Sequence, residues 1–524
     1  MRGQLQDVLR LWISLGVRVL GTVLEWMHKL RVVRSRRTQR HLRARYGITD
    51  DTPIVRHGAA LSAMLEAGAG DTAIFATTSG SSGTPKRIPY TPARVRQVKA
   101  LYMDAFTRAF AAKRTRRTSL YVFSTTASDD SLTSLMMSER HALPPYFSTL
   151  QAPYRVHTHP EMVALEEHYG RPAVRLWVMV VSNPGALYAT NPSTIALFLE
   201  RLAHDWVGST AMIRDWIQAP NDFSRTVHRI AARLDSAGSS GRLSRIAASI
   251  ESMDFQACVP AVSFLCCWDG GYVRSYLERV WALLPPEQVC HVPMYSMSTE
   301  TVETLPDFGG GEVAFLPVAP GVLYEFLPLG VEAKPSHLLA FDGLNVNERY
   351  VMVVSDQWGL VRYHTEDIFR VQGHVSGLPD LRFERREGLS FSFTGEKLTG
   401  EHARQALESV RQARADVASV PWMVVIPSAK PEPHYKLVLA SDVPVLSQDE
   451  LAGLLDAGLC AVNGEYADKR NSGRLGRPKT VCMRFEHALR TIGGQTAERS
   501  WETQFKFLPM VTRTWESVGT AREE

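Results

Sequence analysis

The chain has 524 residues, 45% hydrophobic and 22% charged, enough to bury the cores of two or more domains and too apolar for a disordered or low-complexity protein. Its formal charge of +5 is small for this length, and much of it sits between Arg31 and Arg45 (RVVRSRRTQRHLRAR), which argues against a nucleic-acid-binding protein. Six cysteines, Cys258, Cys266, Cys267, Cys290, Cys460 and Cys482, occur without a CxxC pair or a His/Cys ligand spacing, so they read as reduced core thiols of a cytoplasmic protein rather than as a disulfide or zinc framework.

Residues Val8 to Trp26 are apolar but carry Arg10, Arg18 and Glu25 and lack a small-residue cleavage site. The pattern predicts an amphipathic helix, neither signal peptide nor membrane span, with anchoring to a membrane surface as the lesser alternative. The basic run that follows reads as a solvated helix face, so residues 1–45 form a basic helical region of their own. A short buried strand over Thr72 to Thr77 (TAIFAT) and a helix from Arg94 to Ala112 come next. Strand-like runs at Leu120 to Ser124, Val174 to Ser182, Val262 to Trp268 and Val351 to Ser355 then alternate with helical stretches at Thr194 to Trp206, Val227 to Leu234 and Tyr272 to Leu284. That alternation predicts an α/β fold with mixed sheets and helices. Near Arg385 the character changes to a charged RRE, then GLSFSFTGE, a helix from Glu401 to Ala413, and strands at Trp422 to Ile426 and Tyr435 to Ala440. We expect a hinge at Glu387 to Ser390 between a large domain over 46–388 and a small, mobile α+β domain over 389–524.

The run TTSGSSGTPKRIP, Thr77 to Pro89, is the most informative for chemistry. Glycines let backbone N–H groups turn toward an anion, hydroxyls add short donors and Lys86 supplies charge. With a strand before it and a helix after it, the loop reads as a phosphate grip, against the alternative of an ordinary Gly/Ser linker. A Walker loop would need glycine immediately before the lysine and Ser/Thr after it, whereas Lys86 lies between Pro85 and Arg87. A nucleophile elbow would need one more residue than Gly80-Ser81-Ser82-Gly83 offers. Thr78 to Lys86 instead resembles the phosphate-binding signature of the adenylate-forming enzymes.

Four further segments follow in order. VSFLCCWDGG, Val262 to Gly271, ends a strand in paired glycines where backbone can approach a flat ligand, or simply turn tightly. YSMSTE, Tyr295 to Glu300, brings hydroxyls and a carboxylate able to hold Mg²⁺. In GLVRYHTEDIFRV, Gly359 to Val371, Asp367 suits both hydroxyls of a ribose; the structural alternative is an ion pair with Arg362 or Arg370. QFKFLPMV, Gln504 to Val511, presents Lys506 near the chain end, either as a surface charge or as a cation that can be swung to a reacting phosphate.

With YEFLP (Tyr324 to Pro328), FTGEKLTGEH (Phe393 to His402) and PHY (Pro433 to Tyr435), these segments resemble, in order and wording, the auxin-responsive acyl acid amido synthetases, a plant hormone-conjugating family with bacterial relatives. The resemblance spans roughly Arg43 to Val511. It implies ATP and Mg²⁺, a carboxylic acid turned into an acyl adenylate, and an amino acid or amine that displaces AMP to give an amide. Carried over by motif, Ser79, Gly80, Ser81, Ser82, Gly83 and Lys86 hold the ATP phosphates, and Gly270 and Gly271 the adenine and acyl region. Tyr295, Ser298 and Thr299 line the nucleotide, Glu300 takes the magnesium, Asp367 the ribose, and Lys506 serves adenylation. Lys397 falls on the small domain at its interface, and Arg386 is a further candidate for ribose or phosphate. The acid pocket would fall to Ser124–Tyr154 and Met179–Tyr188.

Two departures stand out. The family tyrosine lies four residues before the glutamate, where this chain has Ser296, with Tyr295 one residue earlier. The family glycine before the ribose aspartate is Glu366 here, an added negative charge. The same superfamily includes ligases that pass the adenylate to coenzyme A or a carrier thiol, and the departures allow a catalytically degenerate nucleotide- or acid-binding scaffold. The expected assembly is a monomer or homodimer.

Overall fold

The structure is a computed structural model that describes residues 2–56, 74–77, 87–115, 117–123, 132, 166, 168–218, 221–222, 225, 250–251, 254–270, 273–443, 447–493 and 505–518. These fall into two compact units, a larger one running to Glu384 and a smaller one from Arg385 onward that also takes in Gly270 and residues 273–275.

The larger unit opens with helix α1, Arg2–Arg45. Strands β1 (Ile74–Thr77) and β2 (Arg87–Tyr90) pair antiparallel, Thr77 opposite Arg87. The loop expected between strand and helix therefore joins two strands, and the helix expected from Arg94 starts two residues earlier. Pro89 and Pro92 keep the residues before them extended, and Thr91 then caps helix α2, Pro92–Ala112, its side chain accepting from the Arg94 N–H, with Pro92 in the first turn. Helices α1 and α2 pack closely at Gly21, where a Cβ would lie 2.4 Å from the Thr107 carbonyl oxygen. Beside that crossing the Arg108 guanidinium, fully buried, is held by Asp104 at 2.9 Å, by Glu25 of α1 at 3.0 Å and by the Pro306 carbonyl at 2.7 Å. Two distant stretches of chain, around Glu25 and Pro306, join the neighbouring Asp104 in meeting that one buried charge, as a desolvated cation requires.

Strands β3 (Leu120–Val122), β4 (Ala186–Tyr188), β5 (Phe264–Cys267) and β6 (Cys290–Pro293) form a parallel sheet in sequential order. All of β3, β4 and β5 is buried, as helix-covered parallel sheets demand. Arg171–Ser182, expected in part as a strand, is a helix. Pro172 opens it, and burial on nearly every side removes the periodicity that would have marked it. Helices Pro192–His204 and Arg274–Leu283 agree with expectation, while the stretch Val227 to Leu234 lies outside the described residues. A hairpin, β7 (Leu305–Asp307) and β8 (Ala314–Leu316), leads to a second sheet of order β12-β11-β10-β9, built from β9 (Val322–Pro328), β10 (Arg349–Asp356), β11 (Tyr363–Val375) and β12 (Leu378–Arg386).

The smaller unit begins with a two-residue ladder of β13 (Ser390–Phe391) and β14 (Leu398–Thr399). Thr399 then makes a capping box with His402 for helix Gly400–Ala413. Strands β15 (Trp422–Ser428), β16 (His434–Ala440) and β17 (Lys479–Met483) form one sheet, antiparallel then parallel. Helix Gln448–Val462 crosses helix Gly400–Ala413 closely, a Cβ on Gly458 meeting Ala406 at 3.1 Å. Leu407, Val410, Val425, Leu437, Leu455 and Leu459 fill the core between them.

Candidate active site

The carboxyl ends of adjacent parallel strands are where open α/β sheets bind ligands, and two sequence-predicted segments lie there. Trp268 and Asp269 leave β5; Trp268 packs on Phe383 with ring centroids 4.8 Å apart. Gly270 follows in a bend, while Gly271 lies outside the described residues. Leaving β6, Tyr295 is 3% exposed and packs against Tyr102 at 5.5 Å between centroids. Its ring is taken up by the core rather than offered to an adenine, because the chain turns inward one residue earlier than the expected position, which Ser296 occupies.

Residues 296–304 fold into a tight turn with a Met297–Val302 bridge. Thr304 Oγ1 accepts from the Ser296 N–H, and Ser298 Oγ from the Thr301 N–H. Glu300, 5% exposed, sits at the tip. Its position is fixed from the other side by two residues that leave the glycine- and hydroxyl-rich loop. Tyr90 Oη donates to the Thr299 carbonyl at 2.7 Å, and the Arg94 guanidinium donates to the Glu300 and Pro89 carbonyls. Burial pushes the Tyr90 phenol up to about 12, so it remains a donor throughout the neutral range. Ser79, Gly80, Ser81, Ser82, Gly83 and Lys86 themselves lie outside the described residues. So does most of the stretch 124–154 expected at the acid pocket, whereas Leu187 and Tyr188 are sheet core.

Under Glu300 lies Glu303, fully buried, accepting from Ser296 Oγ and the Ser298 N–H, both at 3.2 Å. Desolvation, then the negative charge of Asp367 and that of Glu300, outweigh those two bonds and lift its pKa to about 8. Glu303 is therefore mostly protonated at neutral pH. Sequence reasoning missed Tyr90, Arg94 and Glu303. The only signal for Glu303 was a second glutamate three residues after the first.

Asp367 stands on β11 at a bulge: Ile368 faces Val351 and His364 faces Val353, so three residues of β11 oppose Met352 alone. Glu366 occupies that bulge at φ +65°, a left-handed conformation natural to glycine, which explains why the expected residue there is glycine. Thr365 Oγ1 accepts from the Asp367 N–H at 3.1 Å and donates to the Met352 carbonyl at 2.9 Å. The arginines that offered Asp367 a structural role pair with other acids: Arg362 forms a buried fork with Glu325 at 2.8 and 2.9 Å, and Arg370 meets Glu384 at 3.4 Å. Arg386 ends β12, half-buried.

In the smaller unit Glu396, 1% exposed, gathers five donors: the N–H groups of Phe393 and Thr394, the hydroxyls of Ser392 and Thr394, and Tyr435 Oη at 2.6 Å. Burial alone would raise its pKa, but the bonds from Tyr435 and from the backbone N–H groups win and hold it below the usual carboxylate range. The loop so fixed turns Lys397 out at φ +43°, exposed. Lys506 lies between Phe505 and Phe507, both buried against Trp422 at 5.1 and 5.8 Å. Trp422 Nε1 donates to the Leu508 carbonyl, and Val425 bridges Pro509 and Val511. The alternation fixes the backbone of Lys506 while its own side chain stays half-buried. Among the described residues no group of three or more His, Cys, Asp or Glu could hold a metal by itself.

Residues 57–289 match the GH3 family N-terminal domain and residues 315–386 the GH3 family central domain. The chain is 28% identical over 102 residues to a probable indole-3-acetic acid-amido synthetase of Oryza sativa subsp. japonica, 20% of this chain and 23% of that protein. It is 31% identical over 111 residues to a jasmonoyl–L-amino acid synthetase of Nicotiana attenuata, 20% of this chain and 19% of that protein. These matches span less than a quarter of either relative. A solved acyl acid amido synthetase, AtGH3.15 in complex with 2,4-DB, superposes with a TM-score of 0.64 at 14% identity, over 89% of this chain and 86% of the other; that likeness is one of fold. With the two domain matches together covering more than half its length in the family's order, the chain belongs to the GH3 family.

Proposed function

We propose that the chain is an ATP-dependent ligase that joins a small carboxylic acid to an amino acid or another amine. The observation that carries this reading is the double tie from Tyr90 and Arg94, just after the hydroxyl-rich loop, to the backbone of Thr299 and Glu300. It ties the segment that follows the expected phosphate grip to the backbone beside a carboxylate through buried groups.

A carboxylate is a poor electrophile. Attack of its oxygen on the α-phosphorus of ATP, with pyrophosphate leaving, gives an acyl adenylate; an amine nitrogen then attacks the acyl carbon, AMP departs and the nitrogen loses a proton. In this reading Ser79 to Gly83 and Lys86 grip the phosphates, Ser298 and Thr299 lie along the nucleotide, and Gly270 and Gly271 leave room for its base. Asp367 accepts from the ribose hydroxyls, with Arg386 as a further contact. Lys506 offsets charge that grows during adenylation, and Lys397 is a second cation on the smaller unit. Mg²⁺, when bound, neutralises and orients the phosphates. Glu300 suits it as one protein carboxylate, because this ion takes most of its ligands from phosphates and water. A neutral Glu303 beneath spares the nucleotide a further negative charge. The six cysteines, none in a disulfide, suit a cytoplasmic setting.

The test is isotopic exchange of pyrophosphate into ATP across a panel of carboxylic acids, followed by separate offers of hydroxylamine, amino acids and coenzyme A. Acid-dependent exchange that chelation abolishes, with an amide as product, is expected. Acid-independent release of ADP and phosphate would overturn the reading, and a thioester product would move the chain to the acyl-CoA ligases.

A further inference from the structure

Helix α1 carries two apolar faces, and the fold uses one. Ser14, Val17, Gly21, His28, Val32 and Ser35 form its buried line, docked on α2. On the other side Leu15, Val19, Val23, Trp26, Met27 and Val33 are between 42% and 73% exposed. At 3.6 residues per turn those six positions fall within an arc of about 120° and run for about 27 Å. They form a continuous stripe, not scattered surface residues.

Past Val33 the same arc carries Arg34 and Arg37, and Arg40 and Lys29 flank it, all exposed. Over Arg2–Arg45 eleven Arg and Lys face two acids, Asp7 and Glu25, a surplus of nine where the whole chain has +5. The rest of the molecule is therefore net acidic, and the positive field is concentrated on one helix.

From this we infer that α1 docks the protein on an anionic lipid surface, its stripe from Leu15 to Val33 entering the headgroup boundary and Arg34, Arg37 and Arg40 meeting the lipid charges. An aromatic and aliphatic stripe bordered by arginine and lysine is the chemistry of an interfacial helix. A second copy of the chain would bring two helices of like charge together, which opposes association. Nucleic acid would use the arginines and leave Trp26 and Val33 in water. No helix among the described residues is long and apolar enough to cross a membrane, so the helix would lie along the surface. The opposite face, held by the Arg108 network, keeps the helix on its domain as it does so.

Flotation of the full chain with vesicles tests this. Phosphatidylcholine containing about 30 mol% phosphatidylglycerol should carry the protein up, and phosphatidylcholine alone should bind it about tenfold less or worse. Val19→Asp/Val23→Asp/Val33→Asp and, separately, Arg34→Glu/Arg37→Glu/Arg40→Glu should each abolish binding while the melting curve and exchange activity stay unchanged. Failure of the wild-type chain to bind anionic vesicles, or binding that survives charge reversal, overturns the proposal. So does a dimer seen by sedimentation without lipid that the triple aspartate variant converts to monomer, since the stripe would then be a subunit interface.

Discussion

Two buried glutamates, one in each unit, differ in almost everything except exposure. Glu303 is 0% and Glu396 1% exposed, yet one holds its proton up to about pH 8 and the other is a stronger acid than usual. Glu303 has two donors and two acidic neighbours; Glu396 has five donors, a tyrosine among them. Burial sets the cost of charge, and the count of donors and the sign of neighbouring charge decide whether it is met. The larger unit thus keeps a carboxyl neutral where a nucleotide would bring negative charge, while the smaller unit uses an ionised carboxylate as the fixed point of a loop that presents a lysine.

The sharpest way to test that division of labour is Lys506, the cation of the smaller unit. Lys506→Ala should lower acid-dependent exchange a hundred- to a thousandfold, roughly 2.7 to 4 kcal/mol, while amide formation from a synthetic acyl adenylate persists. Equal loss in both assays would show that the lysine is structural or serves both steps. Next comes Glu396→Gln, which keeps shape but turns two acceptors into one and faces an NH₂ toward backbone donors. It should cost about 3 kcal/mol, read as a lower melting temperature. An unchanged melt would mean that the five bonds do not hold the loop.

Removing charge from the larger unit should act on ligand use instead. Asp367→Asn is expected to weaken ATP use by about 1.5 to 3 kcal/mol, seen in the Michaelis constant for ATP. If Glu366→Gln is the damaging change and Asp367→Asn is silent, the ribose contact belongs to the residue in the bulge.

The smallest effect is the one that separates the two glutamates directly. A carboxyl whose folded pKa of about 8 lies above its ordinary 4.5 keeps a proton that the unfolded chain releases. Its contribution to stability is complete below pH 4.5 and is lost as pH rises through about 8. Glu303→Gln should therefore flatten the fall in melting temperature between about pH 4.5 and pH 8 and leave the slope below pH 4.5 unchanged. The same slope in the variant would assign that loss to another group.

Much of this was legible in the sequence where pattern is local. β5, β10, β15 and β16 are apolar runs of strand length, and the Thr399 cap announces its helix. Arg171–Ser182 was not, because an evenly buried helix and a buried strand share one composition. The hairpin at residues 74–90 was misread because Ile88-Pro89-Tyr90 is too short to show a period. At the candidate site, Glu300, Asp367 and Lys506 are proposed from motif order. Glu303 was not legible, since its proton is held first by burial and then by the charge of Asp367 far along the chain, and the ties of Tyr90 and Arg94 close over 209 and 206 residues.

The Arg108 network has a consequence for how the molecule is made. Glu25 leaves the ribosome about 280 residues before Pro306, whose carbonyl is a third partner of Arg108; at ordinary elongation rates that interval lasts on the order of 15 to 60 s. During it α1 can already dock on α2 and Glu25 can meet Arg108, but the guanidinium lacks that carbonyl. A chain halted before residue 306 would thus hold the Arg108 guanidinium between two carboxylates alone, and the seating of α1 on α2 would gain its last bond only when β7 arrives.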